Sequence, residues 1–91
     1  MIARKTRYTF HSDVGHSWLA VKRAELERLG LLDEISRYSY QNGKTVYLEE
    51  DCDAALFIAE KEALGEPLTF REKQWVVGCD HYIRKFPSYS N

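Results

Sequence analysis

The dipeptide Asn42-Gly43 stands between two runs of strand-forming residues, 35–41 and 44–50, and no other feature constrains the fold of this chain as tightly. Asn-Gly supplies both positive-φ positions of a type I′ turn, whose twist matches that of the strands it joins. A two-residue loop at 42–43 pairs Gln41 with Lys44, Tyr40 with Thr45, Ser39 with Val46, Tyr38 with Tyr47 and Arg37 with Leu48. Alternation then sends Tyr38, Tyr40, Thr45 and Tyr47 to one face and Ile35, Arg37, Ser39, Val46 and Leu48 to the other. The aliphatic face is expected against helices, which leaves an aromatic face for another use.

Residues 6–11 show the same period of two, with Tyr8 and Phe10 against Arg7, Thr9 and His11. Ser12-Asp13-Val14-Gly15 reads as a turn, and residues 16–21 as a strand returning on the first, which sets His11 opposite His16. Over 22–29 the period changes: Leu26 and Leu29 share a helical face, Glu25, Glu27 and Arg28 take the wet one, and Gly30 follows as a C-terminal cap. A second helix is expected over 54–64, capped by Asp51 or Asp53 and closed by Gly65 with Pro67 beyond. Thr69 followed by Glu72 resembles a capping box and predicts a short helix through Val77, although Gln74 to Val77 also suits a strand. Residues 82–86 read as a further extended piece before a polar end. At 91 residues the chain has no room for a second core. The expectation is one α+β domain over 1–91: a small antiparallel sheet of about four strands with two or three helices on one face, and 67–91 adding a helix or strand plus a tail.

Charge is unevenly spread beneath a net value of −1. Residues 1–28 carry a net +3, residues 67–91 a net +2, and residues 48–66 seven carboxylates against Lys61 alone. Much of this suits pairing within the fold, and the acidic element also suits docking on a basic partner. No apolar run approaches the ~20 residues that cross a bilayer, and no hydrophobic stretch follows the basic start, so no membrane partner and a cytoplasmic location are expected. Cys52 and Cys79 are too few for a disulfide framework.

Catalytic and metal-binding patterns are weak. His11, His16, Cys52, Cys79 and His81 are the soft or imidazole ligands, and Cys79-x-His81 misses the spacings of structural zinc sites, so no metal and no cofactor are assigned. Ser12, Asp13 and His16 lie too close in one turn to align as nucleophile, base and orienter. His16, His81, Arg84 and Lys85 hold the residue types for acid/base cleavage of RNA, but their spacing specifies no reaction, and the chain is expected not to be an enzyme. Tyr38, Tyr40 and Tyr47, rimmed by Glu49, Glu50 and Asp51, make a surface for protein recognition, which favours tyrosine and arginine and needs no net positive charge. Stacking of single-stranded nucleic acid on the same tyrosines is the alternative, set against a sequence pI near 6.3. Pairing of two copies through a strand edge stays open, because this reading does not order the strands.

The segments Gly15-His16-Ser17-Trp18-Leu19-Ala20-Val21, Glu25-Leu26-Glu27-Arg28-Leu29-Gly30, Ile35-Ser36-Arg37-Tyr38-Ser39-Tyr40 and Val46-Tyr47-Leu48-Glu49-Glu50-Asp51-Cys52-Asp53 resemble small uncharacterised proteins encoded by bacterial phages and plasmids. The resemblance lies within residues 15–53 and carries no catalytic motif. It implies a bacterial cytoplasm and an accessory role on a mobile element, with a host protein or complex as partner and inhibition of a host defence component as one such role.

Overall fold

The computed structural model describes residues 6–13, 15–74 and 82–91. Strand β1 (Arg7–Ser12) turns into β2 (Ser17–Lys22), which runs directly into the short helix α1 (Arg23–Arg28). A looped stretch leads to β3 (Tyr40–Asn42) and β4 (Thr45–Glu49), followed by helix α2 (Asp53–Ala63), strand β5 (Thr69–Gln74) and a 3-10 turn at Tyr82–Lys85. The strands form one sheet in the order β3-β4-β2-β1-β5. Its neighbours are antiparallel except β1 and β5, which run parallel. The α+β class holds, with five strands in a mixed sheet and two helices among the described residues.

The register decides which side chains meet the helices. Phe10 lies opposite Leu19, Leu19 opposite Leu48, and Val21 opposite Val46, so these positions share a face with Tyr8. That face is buried with Leu26 of α1, Ala54 and Phe57 of α2, Leu31, Ile35 and Tyr89. Tyr8 and Phe57 meet edge to face at 5.3 Å. The opposite, outer face carries Thr9 and His11 on β1, Trp18, Ala20 and Lys22 on β2, and Tyr47 and Glu49 on β4.

Several expectations need correction. Asn42 pairs with Thr45 and Tyr40 with Tyr47, so the loop residues are Gly43 and Lys44, with Gly43 at φ +60° in the first turn position, the type II′ pattern. The pairing is displaced by two residues from the expected one, which leaves Tyr40, Thr45 and Tyr47 together on one face as expected. Ser12 pairs with Ser17, which places His16 in the turn and sets Trp18, not His16, opposite His11. Residues 69–74 form a strand, not a helix: the Thr69 amide donates to the Thr6 carbonyl at 2.7 Å and the segment pairs with β1 along its length. Residues 82–85 form a 3-10 turn instead of an extended piece. The polar C-terminal end packs back on the hairpin, with the Tyr89 amide donating to the Ser39 carbonyl and the Gln41 amide to the Pro87 carbonyl. The end of the expected helix, residues 75–77, and Cys79 and His81 lie outside the described residues.

Candidate functional site

The β1–β2 turn is built around Asp13, whose side chain is 1% exposed. Its Oδ1 accepts from the amides of Gly15 and His16, both at 3.0 Å, an arrangement open to aspartate because its carboxylate reaches the backbone two and three residues on. Arg84, from the 3-10 turn, grips the same carboxylate through Nε at 2.7 Å and Nη2 at 3.1 Å. Arg84 Nη2 also lies 2.9 Å from His16 Nδ1. An arginine only donates, so Nδ1 accepts and the imidazole proton sits on Nε2. The Arg84 guanidinium rests 5.1 Å from the Trp18 ring centre, and His16 stacks against that ring. Trp18 is consequently buried on the outer face of the sheet, away from the main core.

A second anchor sets the opposite wall. Asp53 does not cap α2; it is buried, and its Oδ2 accepts from the amide and hydroxyl of Ser36 and from the Ser39 hydroxyl. Ser39 in turn accepts from the Glu49 amide at 2.9 Å. These bonds fold residues 36–39 onto the start of α2, which is why the stretch is a turn and not a longer β3. Tyr38 is thereby lifted off the sheet, 68% exposed, with the Arg37 guanidinium over its ring. Cys52 precedes α2 as an exposed free thiol, its amide donating to Glu49 Oε2 at 3.1 Å.

Between these walls lies an open cleft of about 320 Å³ lined by His16, Trp18, Tyr38, Tyr40, Glu49, Asp51, Cys52 and Arg84. Four of the six residues expected at a binding surface meet here: Tyr38, Tyr40, Glu49 and Asp51. Glu50 is exposed beside the rim without lining the cleft. Tyr47 lies further along the sheet, packed on Phe86 at 5.5 Å and on His11 at 5.8 Å. The three tyrosines therefore do not form one open platform. Trp18, His16 and Arg84 were missed as cleft residues; nothing local marks Arg84 as the partner of a carboxylate 71 positions away.

Elsewhere an ion network joins α1 to the end of α2. Lys61 is fully buried, 2.9 Å from Glu66 and 3.8 Å from Glu25, with its ammonium over the Tyr8 ring. Arg28 bridges the same carboxylates, at 2.8 Å to each, and the Tyr8 hydroxyl donates to Glu25. Hydrogen bonds from Arg28 and then Lys61 hold the Glu66 carboxyl down at about 2. Burial works to raise Glu25, but bonds from Arg28 and Tyr8 and the charge of Lys61 outweigh it and leave the carboxyl below its ordinary value. Burial likewise works to lower Lys61, and its bonded carboxylate and phenol partners more than reverse that. Among the described residues these two cations face two carboxylates, so the network ties elements together. Among the described residues, no three His, Cys, Asp or Glu side chains gather as a metal site, and no helix is long and apolar enough to cross a membrane.

Fold and cleft together define an α+β fold with an aromatic, acid-rimmed depression at one end of a mixed sheet. Compared with known protein families, curated proteins and solved structures, the chain matches none.

Proposed function

We propose that the chain is a small non-enzymatic binding module that acts by protein–protein contact through the cleft between the β1–β2 turn and the start of α2. The observation that carries this reading is Tyr38: a large aromatic side chain, 68% exposed, held at the mouth of a cleft by a buried aspartate–serine anchor. Exposed aromatics on rigid supports are the usual anchors of interfaces. Asp51, exposed at the same rim, and Glu49 give the mouth negative charge, which suits a partner presenting lysine or arginine. The resemblance of residues 15–53 to phage and plasmid proteins supports a host protein as that partner, and inhibition of a host defence component as the outcome. Stacking of nucleic acid on the tyrosines finds less support, because Tyr38 has left the sheet and Tyr47 is packed on Phe86.

The test is affinity capture from bacterial lysate, with and without nuclease, by the natural chain and by a Tyr38→Ala, Asp51→Lys variant. The expected result is a protein that survives nuclease treatment and is lost from the variant at unchanged melting temperature. Equal capture by both chains, or capture abolished by nuclease, overturns the reading.

A further inference from the structure

The outer face of the sheet continues past Trp18 and His11 onto β1 and β5, and its character changes there. Arg7 lies beside Thr69, Thr9 beside Arg71 and His11 beside Lys73, so Arg7, Arg71 and Lys73 share one face with His11 and the two threonines. Lys22 stands on the same face of β2, two positions beyond Ala20, which pairs with Thr9. All four cations are exposed, and among the described residues none of their side chains makes a hydrogen bond, an ion pair or a ring contact. By alternation the outward positions of β1 and β5 hold no carboxylate, since Glu72 points to the helix side with Phe10 and Phe70. Lys73 and Arg71 along β5, Arg7 on β1 and Lys22 across from it on β2 thus form a stepped row over three strands, in steps of about 5–8 Å.

Protection of an open sheet edge explains charges on β5. It does not explain Arg7, on a strand paired on both sides, or Lys22, on the next strand inward. A regular row of unmatched cations, interleaved with hydroxyl groups, is what a chain of phosphates requires. We infer that the outer face of β1, β5 and the adjoining end of β2 binds the phosphodiester backbone of a single-stranded nucleic acid. Among the described residues this face carries no helix to enter a duplex groove, which favours an extended single strand. This surface is separate from the cleft, and its contacts are made to backbone rather than base, so sequence preference is expected to be slight.

The experiment is fluorescence anisotropy with a labelled oligothymidylate of about 20 nucleotides. Four phosphate contacts predict a slope of log K against log salt of about −2.8, so affinity falls roughly 50-fold between about 50 and 200 mM salt. Arg71→Gln with Lys73→Gln is expected to weaken binding by at least about tenfold at the lower salt and to make the slope shallower by about 1.4. Lys44→Gln, at the hairpin turn, and the cleft variant Tyr38→Ala, Asp51→Asn are expected to bind as the natural chain does. No binding at the lower salt, or binding indifferent to the double substitution, overturns the proposal. Tighter binding of duplex DNA, or of an acidic polypeptide, overturns the choice of a single strand. Because the cleft variant is read in the same assay, failure of this surface is distinguishable from failure of the cleft.

Discussion

Lys61 and Arg28 on one side of the sheet, and Arg7, Lys22, Arg71 and Lys73 on the other, put the same two residue types to opposite use. The first pair is tied to Glu25 and Glu66 at 2.8 to 3.8 Å, with Lys61 withdrawn fully from water. The second group is exposed and, among the described residues, unmatched. A buried cation must be neutralised or its desolvation unfolds the chain, so Lys61 and its carboxylates are fixed by stability. A solvated cation carries no such requirement and contributes little to the fold. Where a chain of net charge −1 keeps four unmatched cations on one face, stability does not account for them.

The contrast breaks most directly at Lys61. Lys61→Ala leaves Glu25 and Glu66 facing a cavity and strips one of their two cations, and a loss of about 3 kcal/mol is expected, at the low end for a buried pair because both carboxylates keep some water contact. Urea unfolding measures it, and a loss under about 1 kcal/mol removes the lysine from its tying role. Next in size is Arg84→Ala. Asp13 keeps its two backbone donors but loses the bidentate guanidinium, and Trp18 loses the cation above it, for an expected cost of about 2 kcal/mol. The same unfolding curves report this, and an unchanged midpoint removes Arg84 as the clamp of the cleft.

The hairpin was legible because Asn-Gly between β-formers is a strong local signal, and a displacement by two left Tyr40 and Tyr47 paired on one face. What the local signal lacked was Asp53. Its buried carboxylate holds Ser36 and Ser39 in a turn, which shortens β3 and separates Tyr38 from the other tyrosines. The Thr69–Glu72 capping pattern was overruled in the same way: pairing with β1, about sixty residues earlier, satisfies the backbone that a helix would otherwise have satisfied locally. Once residues 69–74 are a strand, the alternation of Thr69, Arg71 and Lys73 against Phe70, Glu72 and Gln74 follows from the sequence, and with it the cationic row. The cleft was half legible: its tyrosine and acidic residues lie near one another in sequence, whereas Arg84 and the Asp13 turn come together only through the fold.

A pH titration sharpens the contrast without a cavity. Glu66 sits at about 2 in the folded chain against an ordinary 4.5, and Glu25 is displaced in the same sense. The unfolded chain therefore binds more protons below pH 4.5, so the stabilisation from these carboxylates is complete above that value and is lost as pH falls towards 2. Glu66→Gln is expected to flatten the fall in melting temperature over that window while leaving the neutral-to-alkaline side unaltered in shape. An acid limb as steep as that of the natural chain excludes Glu66 as its source. At the other extreme, Lys61 titrates above its ordinary 10.5, so its contribution is complete below that value and disappears only at higher pH.

The smallest effect belongs to the outer cations. Among the described residues, Arg7→Gln, Arg71→Gln and Lys73→Gln together remove no side-chain hydrogen bond or ion pair, and all three positions are exposed, so stability is expected to stay within about 0.5 kcal/mol of the natural chain. The sign is set by repulsion along the row: neutralising it raises the melting temperature slightly at low salt, and the gain fades as the screening length falls to roughly 8–10 Å near physiological salt. Thermal unfolding at two ionic strengths resolves this. A loss above about 1 kcal/mol places these residues in the same structural class as Lys61, and the comparison then collapses. A small gain that salt erases shows that the fold tolerates the row at a slight cost, which is the energetic mark of charges held for a partner.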